Sequence, residues 1–158
     1  MSLIIDDFSA TYQVGTIEAE GSLPLDEDTV TGQSAILGAT RFARLLNQSA
    51  SALTSSSISG GTMNLNVNFG TDAELILSYG SVPGKPVPLN RTGLGGNPAF
   101  ELAFGLVGTG FELEMIVSSG SFTATTGKLG VSQPNLSISL AEFTPLPGFE
   151  PSMIDRID

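Results

Sequence analysis

Between residues 62 and 69 apolar and polar positions alternate without a break. Met63, Leu65, Val67 and Phe69 share one parity; Asn64, Asn66 and Asn68 share the other. A period of two marks a strand with one buried face and one wet face. Gly60-Gly61 precedes it and Gly70-Thr71-Asp72 follows, and both are turn signals. Residues 74–79 repeat the pattern through Leu75, Leu77 and Tyr79, so the two segments predict an antiparallel hairpin. Residues 100–106 and 111–117 predict a second hairpin across Gly108-Thr109-Gly110, with Glu112 and Glu114 on its outward face. Shorter strands are expected at 121–125, 128–131 and 136–140, and at 3–8 and 11–17 near the start.

One stretch reads two ways. Ala39, Phe42, Ala43, Leu46, Ala50 and Leu53 fall at helical spacing, yet Thr40, Phe42, Arg44 and Leu46 alternate. The serines and threonine at 49–57 oppose a helix, so residues 35–46 are read as a strand. Residues 20–33 read as an acidic loop around Asp26-Glu27-Asp28. Residues 80–98 read as a long loop, because the prolines at 83, 86 and 88 lack the ladder donor. Residues 144–151 form another proline-rich connection. Eight or more short strands with glycine turns predict one all-β domain over residues 1–158, an antiparallel sandwich or barrel.

Composition narrows what this domain does. The chain has 158 residues and a formal charge of −10. That balance opposes nucleic acid, which needs clustered Lys and Arg, and it opposes an anionic membrane face. No apolar run reaches the roughly 18–20 residues of a membrane helix, so no membrane insertion is expected. No basic-then-apolar leader opens the chain, so export implies a leader already removed. With no cysteine and no histidine, thiol and imidazole chemistry are absent. Asp6-Asp7 and Glu112/Glu114 are the neat carboxylate pairs. Adjacent strand residues face opposite sides, and an open sheet face offers Glu112 and Glu114 no cleft. A non-enzyme is therefore expected.

Three pieces, in order, carry a resemblance. They are residues 4–9 (Ile-Ile-Asp-Asp-Phe-Ser), residues 32–41 (Gly-Gln-Ser-Ala-Ile-Leu-Gly-Ala-Thr-Arg), and residues 136–143 followed by 149–157, which end Ile154-Asp155-Arg156-Ile157. The chain resembles secreted bacterial domains of the galactose-binding-like jelly-roll class, of the kind found in surface proteins with PEP-CTERM sorting tails. Such domains open on an Asp-Asp-Phe strand, carry an Ile-Leu-Gly-Gly-x-Arg strand and close near Ile-Asp-x-Ile. Here Ala39 stands where the second glycine is usual. The resemblance implies an antiparallel two-sheet sandwich of jelly-roll type and a secreted or cell-surface location. It also implies a structural Ca2+ near the joined ends of the first and last strands, with Asp6, Asp7 and Asp155 as ligands. Asp26 and Asp28 of the acidic loop are the second choice, since hard cations take oxygen ligands.

The expected role is a non-catalytic structural or adhesive module. Its partner is another protein, or a second copy, at a sheet edge. The short segment 154–158 suggests that the sheet beside it is left open. A filament subunit assembled by strand exchange is one alternative. A carbohydrate-binding module is another, although the chain has no Trp and only Tyr12 and Tyr79 to offer a stacking platform.

Overall fold

The computed structural model describes residues 3–6, 8, 16–19, 25–34, 36–47, 54–59, 62–67, 72–89, 99–103, 110–132, 135–145 and 147–158. The chain is all-β, and among the described residues no helix has seven or more residues. In chain order the strands are β1 (Leu3–Ile4), β2 (Thr16–Ala19), β3 (Leu25–Thr31), β4 (Thr40–Asn47), β5 (Thr54–Ser59) and β6 (Thr62–Val67). Next come β7 (Ala73–Ser78), β8 (Ser81–Val82), β9 (Lys85–Pro86), β10 (Ala99–Ala103), β11 (Glu112–Leu113) and β12 (Ile116–Ser119). The last five are β13 (Phe122–Thr125), β14 (Leu129–Gly130), β15 (Asn135–Ser139), β16 (Thr144–Pro145) and β17 (Arg156–Ile157).

Two ladders join to make one long sheet. The first runs β3-β4-β7 and the second β16-β13-β12-β17. Tyr79 follows β7 directly. Its N–H donates to the Ile157 carbonyl at 2.8 Å, and its carbonyl accepts from the Ile157 N–H at 2.9 Å. Gly80 comes next with φ 91°. A Cβ there would overlap the Asp155 carbonyl oxygen, so glycine is what lets the two ladders approach.

Two smaller sheets cover this one. The sheet β1-β10-β15 faces its second half. Phe100 and Ile138, opposed across β10 and β15, share the main core with Val117, Ala124 and Ile157. Each fully buried aliphatic side chain such as Ile138 contributes about 1.5–3 kcal/mol. The sheet β2-β5-β6 lies over the first half, where Leu65 packs against Ala43 and Leu45. The result is sandwich-like, with a large core and a small one.

Strand positions were read better than strand partners. The expected hairpin of 62–69 with 74–79 does not form: β6 pairs with β5, and β7 pairs with β4. Nor do the described residues 100–103 pair with 111–117, since β10 takes β15 and β1 while β12 takes β13 and β17; residues 104–106 lie outside the described residues. Alternation reports which face is buried, and it is silent on the neighbour. The outward placement of Glu112 and Glu114 holds, as both are exposed. β1 pairs with β10 in parallel, the one departure from antiparallel pairing among the described strands.

β11–β14 and β12–β13 form one interrupted hairpin. Leu113 opposes Leu129 and Ile116 opposes Thr125, so three steps on one strand meet four on the other. The extra residue makes a bulge around Gly127, whose φ is 67°. The stretch read as a strand over 35–46 is a strand only from Thr40 onward, because Leu37–Ala39 form a 3-10 turn.

Within the segment read as an acidic loop, Leu25–Thr31 form a strand. β3 pairs with β4 along its length, with Glu27 opposite Arg44. An edge strand tolerates charge on its solvent side. The proline loop holds a minimal hairpin, in which Ser81 opposes Pro86 and Val82 opposes Lys85. It is a two-stranded ribbon, so Pro86 is not required to donate into a larger sheet.

Candidate functional site

β4 sets the geometry. Its sequence Thr-Arg-Phe-Ala-Arg-Leu-Leu-Asn alternates, so Arg41, Ala43 and Leu45 face inward and Phe42 and Arg44 face the other way. Ala43 and Leu45 meet the small core. Arg41 shares their parity and is fully buried. A buried guanidinium needs a charged, hydrogen-bonded partner, and Asp6 supplies it, its side chain 1% exposed.

Asp6 is enclosed by donors. One carboxylate oxygen accepts from the Phe8 N–H at 2.8 Å. The other accepts from Arg41 and from the Tyr79 hydroxyl, the latter at 3.2 Å. Phe8 has φ 53°, and its ring lies 5.5 Å from the Arg41 guanidinium carbon. Burial pushes the Asp6 carboxyl above its ordinary range, while Arg41 and the hydrogen bonds pull the other way. Burial first, and the Asp6 charge second, push the Tyr79 phenol well above its ordinary value. This cluster holds chain segments together. Tyr79 binds Asp6 of the first segment through its side chain and Ile157 of the last through its backbone.

The opposite face of β4 floors an open cleft of about 680 Å³. Phe42 and Arg44 stand beside Ser78 and Ile76 of β7. The β8–β9 hairpin forms a wall, and Asp155 and Arg156 close one end. The Arg44 guanidinium lies 5.6 Å from the Phe42 ring centroid, and its Nε donates to Glu27 at 2.9 Å. Arg156 pairs with Asp158.

The chain matches no protein-family model, no curated protein and no solved structure. What it does is therefore argued from its own residues.

The structure places the expected calcium ligands as follows. Asp6 is in the buried cluster. Asp7 lies outside the described residues. Asp155 is exposed and accepts the Gly120 N–H at 3.0 Å. Asp26 and Asp28 stand at alternate positions of β3. Among the described residues no three acidic side chains gather closely enough to hold a metal ion. Tyr79 is buried at 5% exposure, so its ring offers no stacking platform; Tyr12 lies outside the described residues. Sequence reasoning assigned Arg41 no role, although a lone arginine at the inward parity of an apolar strand signals a buried partner.

The edges of the sheets complete the inventory. The sheet beside residues 154–158 is closed, contrary to expectation, because β17 sits between β12 and Tyr79. Of the described edge strands with five or more residues, β3 carries Asp26, Glu27 and Asp28, and β7 carries Glu74. β15 ends where Glu142 folds back and accepts the Ser139 N–H at 2.8 Å. β6 carries neither charge nor proline, and no described strand pairs with its outer side. Its apolar face is partly open, with Met63 and Leu65 half-buried and Val67 41% exposed.

Proposed function

We propose that the chain is a non-catalytic structural or adhesive module of a bacterial surface protein. It is a sandwich of jelly-roll type that works through protein contact at a sheet edge. The observation that carries this reading is the contrast among edge strands. An edge offers unpaired N–H and C=O groups, and natural proteins blunt such edges with charge or proline. β3 and β7 carry charge in this way; β15 carries none but ends where Glu142 folds back onto Ser139; β6 has neither charge nor proline. The backbone adds support for the family resemblance, since Ala39 has φ 57° at the position where such domains carry glycine.

Purified chain coupled to beads should adhere to the surface of the cells that make it. Asn66→Lys, which charges the β6 edge, should remove that adhesion, and Ser137→Lys on β15 should preserve it. Adhesion that is absent, or equal in all three forms, overturns the reading. Calcium remains part of this proposal as a structural ion. Its check is a rise in melting temperature with millimolar calcium over chelator.

Carbohydrate recognition is the second reading, favoured by the cleft floored by Phe42 and Arg44. It requires glycan binding that Arg44→Ala abolishes.

A further inference from the structure

We infer that the partner at the bare edge is a second copy of this chain, joined β6 to β6 in antiparallel register about a two-fold axis at Leu65. This rests on the edge-contact reading above and names its partner. The first argument is electrostatic. Two copies each carrying −10 repel one another, so a contact between them requires an uncharged strand. Among the long described edges β6 and β15 carry no charged residue, and β15 ends beside the exposed Glu142.

The second argument is register. About an axis at residue 65, residue 63 opposes 67 of the other copy, 64 opposes 66, and 65 opposes itself. Opposed residues in an antiparallel pair share a face. Met63, Leu65 and Val67 of both copies then lie together, and the asparagine positions 64 and 66 face each other on the reverse side. A shift of one residue would set apolar side chains opposite asparagines, so the pattern selects this register.

The third argument is what pairing buries. The apolar face of β6 already packs on Ala43 and Leu45 through Leu65, and the open remainder includes Val67. Pairing lengthens this stripe across two molecules and gives partners to the backbone groups on the side of β6 that no described strand pairs. On β15 it would gain less, because Ile138 is already fully buried. The joined sheet reads β2-β5-β6-β6-β5-β2. A two-fold contact is self-complementary and closes at the dimer, so this edge makes pairs and does not make filaments.

The chain has no cysteine, so an introduced thiol has no competitor. Opposed Cα atoms lie about 4.5–5.5 Å apart in an antiparallel pair, within the roughly 4.4–6.8 Å that a disulfide spans. Under mild oxidation Leu65→Cys should form a covalent dimer with itself. Met63→Cys and Val67→Cys should each stay uncrosslinked alone and crosslink when mixed. The mixing experiment stands even if Leu65→Cys folds poorly. Sedimentation of the unaltered chain should show a dimer, and Asn66→Lys should weaken it roughly ten-fold or more. Self-crosslinking of Met63→Cys or Val67→Cys as fast as the mixture overturns the register. An unaltered chain that stays monomeric at high micromolar concentration overturns the second copy as partner. If cell adhesion then survives, only this inference falls; if adhesion is lost too, the edge reading falls with it.

Discussion

Arg41 and Arg44 lie three residues apart on β4 and live in different solvents. Arg41 is fully buried against Asp6, whereas the Arg44 side chain is 39% exposed and shares its carboxylate partner Glu27 with water. Both are arginine–carboxylate pairs, and each arginine lies near a phenylalanine ring. Chemistry is therefore matched and environment differs. The comparison teaches that parity on a strand decides what a charge is for. On the inward parity it fixes the first segment of the chain to the sandwich. On the outward parity it shapes the floor of an open cleft.

The largest expected effect is at the buried pair. Arg41→Ala leaves Asp6 buried without its cation and should cost about 3–5 kcal/mol in denaturant unfolding. Replacing both members, as Arg41→Met with Asp6→Leu, should cost much less than either single change, because no orphan charge remains. If Arg41→Ala costs no more than Arg44→Ala, the contrast between the two environments is broken. Arg44→Ala comes next, with a loss below about 1 kcal/mol. That loss should shrink further in molar salt, where exposed charges are screened, while the Arg41 loss should persist.

The smallest effect sharpens the comparison through pH. Asp6 and Tyr79 both have native pKa values raised above their ordinary 3.8 and 10.0. A raised native value means that the folded chain holds the proton more tightly than the unfolded one. The associated stability is present below the ordinary value and is lost as pH rises through the native one. Unfolding free energy should therefore dip as pH rises just above 3.8 and again above 10.0. Asp6→Asn should flatten the first dip, and Tyr79→Phe the second.

Much of the strand content was legible because period-two alternation survives wherever one face is buried. β15 shows this best, with Ile138 fully buried beside exposed Ser137. Pairing was not legible. The strongest alternation in the chain, at Met63, Leu65 and Val67, belongs to a cover sheet over the small core, while much of the main core comes from weaker signals. Ile154 and Ile157 sit in a short proline-flanked tail, and Leu89 follows a run of prolines. β3 was read as a loop because acid composition outweighed its alternation. Glu27 and Thr29 are exposed while Asp28 and Val30 are half-buried, as an edge strand requires. At the candidate site, Asp6 was legible only as a metal ligand implied by resemblance. Its role as counter-ion depends on Arg41, 35 residues away, and no local pattern reports such a meeting.

The junction at Tyr79 also sets an order of events. β17 is the last of the strands along the chain, yet it lies between two ladders built from earlier residues. Each ladder can begin from nearby partners, such as β3 with β4 or β12 with β13. The weld between them waits for Ile157. Until then the backbone of Tyr79 is a strand end without its mate, and the exposed Glu74 places a charge on the same strand, as edge strands commonly do.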